Sequence, residues 1–141
     1  MTNRTLFALT VTGLGAGLGL AALPATAHHS FAMFDQRKVM TLEGTVAEFQ
    51  WTNPHSFIEM TVPGEGSTPI RWSIELNSPN NLKRQGWTRT ALKPGDRVTL
   101  RMNPLRDGRH GGLFLDVKLP NGTVLDSGLP KNGTPVNVPR L

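Results

Sequence analysis

The 141-residue chain has no cysteine and no tyrosine. Without cysteine there is no disulfide, no thiolate metal site and no sulfur nucleophile, so stability rests on packing alone. Without tyrosine there is no phenolic acid or base. Acidic residues are scarce as well: ten Asp and Glu stand against fifteen Lys and Arg, for a formal net charge of +5. The cations are scattered, with Arg37-Lys38 and Lys83-Arg84 the densest places. Scattered charge reads as a solvated surface and gives weak support for an anionic partner. No Ser-His-Asp spacing, phosphate loop or convincing pair of carboxylates is present. The expectation is a protein that is not an enzyme.

What the chain does have begins at its N-terminus. Arg4 is the only charge before His28, and Leu6 to Leu23 is apolar or small apart from Thr10 and Thr12. Pro24 and the tripeptide Ala25-Thr26-Ala27 follow. A basic start, an apolar middle and an A-x-A end make a secretory signal peptide. The run is nearly long enough to be a membrane anchor instead, but the A-x-A behind a helix-breaking proline favours cleavage. The expected layout is a signal peptide over 1–27, one domain with an N-terminal arm over 28–126, and a loose tail over 127–141. The expected location is the periplasm, with no stable membrane insertion after cleavage and no nucleic acid as natural target.

Past the arm, the pattern is that of strands. Val39 to Trp51 alternates and carries Gly44 inside it, where a bulge or sharp bend is the usual reason. Asn53-Pro54 breaks the alternation, and Phe57 to Val62 resumes it. After "PGEGSTP", Ile70 to Leu76 places Ile70, Trp72, Ile74 and Leu76 on one face. Then the period changes. Ser78 can cap a helix, Pro79 suits its first position, and Gly86 stops it about two turns later. Arg97 to Met102 and Leu113 to Leu119 are the fourth and fifth strands, separated by the glycine-rich "NPLRDGRHGG". The order predicts a mainly β fold: a small five-stranded OB-like Greek-key barrel with one short helix between strands 3 and 4. The tail, rich in Pro, Gly and Asn, has little apolar content with which to pack.

Two of the four histidines, His28 and His29, stand at the expected mature start. A free α-amine has a pKa near ~7.7, so amine nitrogen and imidazole of His28 can chelate one ion. His55, in the connection between strands 1 and 2, offers a second imidazole, and His29 a further or alternative one. Nitrogen ligands in a tetragonal set favour Cu(II). Zinc on three imidazoles is the less favoured reading. Met33 could offer a thioether to Cu(I). Glu59 and Glu75, opposite the apolar phase of their strands, could each accept from a ligating imidazole. His110 lies in the loop between strands 4 and 5, where a solvated loop residue is the ordinary reading. The three tryptophans read as core, Trp72 alternating with Ile70 and Ile74.

The strings "HHSFAMFD", "LEGTVAEFQWTNPHSFI", "WSIELNSPNNLKRQGW" and "LKPGDRVTL…NPLRDGRHGG" together resemble a family of small exported bacterial proteins of unknown function. The resemblance implies a periplasmic, single-domain, OB-like barrel and supplies no activity. Two functions follow as expectations. One is non-catalytic metal binding, with copper the favoured ion and His28, His29 and His55 as ligands. The other is an interaction module that holds an envelope protein or glycan without metal.

Overall fold

The computed structural model describes residues 31–64, 66 and 68–136. The long alternating segment becomes β1 (Lys38–Gln50), which serves two partners in turn. Its first half pairs antiparallel with β4 (Arg97–Pro104), from Met40 opposite Met102 to Thr45 opposite Arg97. Its second half pairs antiparallel with β2 (Phe57–Val62), from Thr45 opposite Thr61 to Gln50 opposite Phe57. Gly44 stands where one partner gives way to the other. A Cβ there would come within 2.9 Å of Met60 Cε and collide with the Thr61 carbonyl oxygen. Only glycine lets the strands approach this closely, so the bend anticipated at Gly44 is a corner of the barrel.

The remaining strands close the ring. β2 runs antiparallel to β3 (Ile70–Glu75), β3 parallel to β5 (Gly111–Lys118), and β5 antiparallel to β4. The circuit β1-β2-β3-β5-β4 returns to β1, and α1 (Pro79–Arg84) lies between β3 and β4. Five strands in this order with that helix are an OB-like Greek-key barrel. Alternate positions fill its interior: Leu42, Ile58, Met60, Ile74, Leu100, Met102 and Val117 are each 0–1% exposed or fully enclosed. In α1 the Ser78 hydroxyl accepts from Asn81 N at 3.5 Å, Pro79 opens the helix, and Leu82 points into the core. The chain then reaches Trp87, whose ring meets Phe49 and Phe114.

Two features differ from expectation. β5 begins at Gly111, two residues before the predicted start, and β4 runs on to Pro104. Gly112 lies where a Cβ would stand 2.5 Å from Asn103 O, so this glycine permits close strand approach rather than a turn. The second difference is the tail. It is fastened, not loose, between Ser127 and Val136. β6 (Val124–Asp126) pairs with β5, and β7 (Thr134–Val136) pairs parallel with Lys38 to Met40 of β1. Between them Gln85 Nε2 donates to Ser127 O at 2.7 Å, and Lys131 Nζ bridges Asp116 and Asp126. β1, Gln85 and Asp116 are remote in sequence from the tail they hold, so local composition could not reveal those contacts.

The N-terminal arm is docked as well. Phe31–Met33 form one 3₁₀ turn. Phe34 is buried and bridges to Leu105, and Asp35 N donates to Pro104 O at 2.8 Å. Arg106 fastens the turn from the other side. Its backbone N–H donates to Met33 O at 2.9 Å, its Nε to Ala32 O at 3.0 Å, and its Nη1 lies 3.8 Å from Asp35 Oδ1. Burial pushes the Asp35 carboxyl up, but hydrogen bonds from Arg37 and the charges of Arg37 and Arg106 outweigh it and hold the group below its usual range.

Candidate functional site

His55 sits in the connection between β1 and β2, and its backbone is fixed from both sides. Thr52 Oγ1 donates to His55 O at 2.8 Å. The next residue, Ser56, is fully buried, receives Leu76 N at 2.8 Å and donates to Asn77 O at 3.2 Å. These bonds join the connection to the end of β3. There Glu75 Oε1 meets His55 Nδ1. The His55 side chain is 37% exposed and that of Glu75 17%, so the pair stands at a rim.

With Nδ1 engaged, Nε2 is the ring nitrogen left to meet a ligand. A carboxylate on one nitrogen fixes the tautomer and orientation of the ring, the arrangement common behind metal-bound imidazoles. The same contact also ties the connection to β3, and it would do so without any ligand. Beside the pair is a cavity of about 50 Å³ lined by Phe31, His55, Glu75, Leu82, Phe114 and Leu129 among others. Its walls come from the arm, α1, β5 and the tail, and most of them are apolar.

Of the predicted ligands, His55 lies at this cavity. His28 and His29 lie outside the described residues. Among the described residues no three His, Asp or Glu side chains converge as a metal-binding group. His110 is placed elsewhere: its ring packs on Trp72 with centroids 4.8 Å apart, and its carbonyl accepts from Ser73 N at 3.1 Å. Glu75 is the carboxylate that meets an imidazole. Glu59 instead accepts from Ser73 Oγ at 2.6 Å and from Arg71 Nε at 3.1 Å. Trp51, Trp72 and Trp87 are buried in the core.

Sequence reasoning missed the apolar walls and the clamp. Leu129 is a single apolar residue between Gly128 and Pro130, and nothing local marks it as a wall of the cavity. Arg106 looks like one more scattered cation, although it carries the arm. Phe31 stands out in the sequence as an aromatic residue within a motif, with nothing local to place it at a cavity.

No protein of curated function matches the chain. Among solved structures it is similar to the mitochondrial single-stranded DNA binding protein Rim1 from S. cerevisiae. That similarity has 12% identity and a TM-score of 0.45, over 62% of this chain and 94% of the other. A family model covers most of the sequence, from within the N-terminal apolar run to the middle of β5. By that match, over residues 17–115, the chain belongs to the family of unknown function DUF6152.

Proposed function

We propose that the mature protein is a periplasmic, non-catalytic metal-binding protein, with Cu(II) the favoured ion, that carries or buffers the metal. The observation that carries this reading is the meeting of Phe31, His55 and Glu75 at one cavity. Three peptide units separate His28 from Phe31, and consecutive Cα atoms are at most ~3.8 Å apart. A histidine at position 28 is therefore tethered within about 11 Å of Phe31, whose side chain lines the same cavity as His55. Cleavage after Ala27 would supply the free amine. His28 then gives amine and imidazole nitrogens, His55 gives Nε2 with Glu75 behind it, and His29 gives a further or alternative nitrogen. With no cysteine in the chain, the donors are nitrogen, which suits Cu(II) above other divalent ions; zinc is the competitor.

The test is copper titration of mature protein with a verified His28 start, read by EPR, beside the same chain carrying one extra residue in front. The extension turns the amine into an amide. Tight one-to-one binding with nitrogen couplings, lost in the extended chain and in His55→Ala, is the expected result. Weak binding indifferent to both changes would overturn the proposal and favour an interaction module for an envelope protein or glycan.

A further inference from the structure

The described residues expose three large apolar side chains, and two of them, Phe31 at 46% and Met33 at 40%, stand two positions apart on the arm. A single exposed hydrophobe needs no explanation. This pair has a charged surround. Arg106 reaches the carbonyl of Ala32, between the two, and Arg37, Lys38 and Arg106 all gather at Asp35. The cationic side chains are 82%, 53% and 50% exposed, whereas that of Asp35 is 8% exposed. The one carboxylate is thus buried, and the three cations that meet it are exposed. Arg37 and Lys38 follow closely in the chain on the turn that carries the two apolar tips, and Arg106 contacts that turn.

We propose that this docked arm is a peripheral binding surface for an anionic lipid bilayer. Phe31 and Met33 enter the interfacial layer, and Arg37, Lys38 and Arg106 meet the headgroups. Charge complementarity selects an anionic surface. The small apolar area selects a bilayer over a protein partner. A stable protein interface buries about 800 Å² on each side around a packed centre, and two half-exposed side chains fall far short of that. A lipid interface needs no matching pocket and accepts shallow apolar groups ringed by basic ones. Among the described residues no helix is long and apolar enough to cross a membrane; a surface of two apolar tips and three cations attaches peripherally and reversibly. The inference stands independently of metal binding.

The experiment is cosedimentation of the mature chain, in a chelating buffer at low salt, with vesicles of phosphatidylethanolamine and phosphatidylglycerol. Vesicles of phosphatidylcholine alone are the control. The chain should sediment with the anionic vesicles and not with the control, and salt should release it. Arg37→Gln and Lys38→Gln should each weaken binding about fivefold. Met33→Ser should weaken it without touching the cavity, and Phe31→Ser should do so further; circular dichroism checks that each variant is folded. No sedimentation with anionic vesicles at low salt would overturn the proposal. So would binding unchanged by both serine variants, since that is plain charge attraction. Equal binding to the neutral control would overturn the assigned role of the cations.

Discussion

Replacing Glu75 by glutamine keeps the shape of the side chain and removes its charge, leaving His55 Nδ1 opposite an amide. If His55 Nε2 holds a metal, this change should lower copper affinity about 10–100-fold. Competition against a chelator of known affinity measures it. Stability should move little, because a rim-exposed pair contributes about 0–1 kcal/mol. Unchanged affinity in Glu75→Gln would mean that the pair only tethers the β1–β2 connection. At this scale much was legible. Strand alternation put Glu75 opposite the apolar phase, and the Asn-Pro break put His55 in a turn. Their contact was not legible, because it depends on how the turn folds back to β3 through Ser56, Leu76 and Asn77. The separation of His110 from His55 was hidden for the same reason. Both histidines were read into loops, and only the packed fold shows one of them resting on Trp72.

The elements read best were those whose partners lie on a repeating apolar face: the five barrel strands and α1 with its Ser78 cap. β7 escaped because it is three residues long and pairs with β1, far away in sequence, whereas β6 follows directly from β5 through the turn at Pro120 to Thr123. Charge is part of what holds the tail between them, beside the Gln85 hydrogen bond to Ser127 O. Burial raises the Asp116 carboxyl, but hydrogen bonds from Arg101 and Lys131 outweigh it and leave the group below its usual range. The Lys131 hydrogen bond does the same for Asp126, and its two carboxylates raise Lys131 in return. Lys131→Met should therefore free the tail and leave the barrel closed. Hydrogen exchange should quicken over residues 129–136 by up to about fivefold, the range for a part-exposed pair. The amides of β1 and β4 that face each other should quicken less. Equal quickening in both places would mean that the tail is part of the barrel's cooperative unit.

For the whole molecule, the barrel order could be read from five strands and a helix in sequence, whereas the candidate site could not. It draws one wall from the tail and another from the arm, and its predicted chelate depends on a cleavage at the start of the chain. The same long-range charges set how the molecule responds to pH. Asp107 is held down first by the Arg109 backbone N–H and then by its side chain, so with Asp35, Asp116 and Asp126 four carboxylates lie below their ordinary value. A carboxyl with a lowered folded pKa binds fewer protons folded than unfolded. Its contribution is complete above the unfolded value near ~3.9 and is lost as pH falls through the folded value. Lys131 and Arg101 are raised, chiefly by hydrogen bonds to Asp126 and Asp116 respectively. Their contributions hold below the unfolded lysine and arginine values and fade only as pH rises past them, above about 10. With no thiol or phenol in the chain, only histidine and a free α-amine are left to titrate in between. Tm should thus be nearly flat from about pH 5 to 9, then fall steeply below about pH 4. Lys131→Met removes the cation shared by Asp116 and Asp126 and shrinks their shifts, so its Tm should start lower and its acid limb should be shallower. Parallel acid limbs in the two proteins would show that the Lys131 pairs do not drive the acid transition, leaving Asp35, Asp107 and the Asp116–Arg101 pair to account for it.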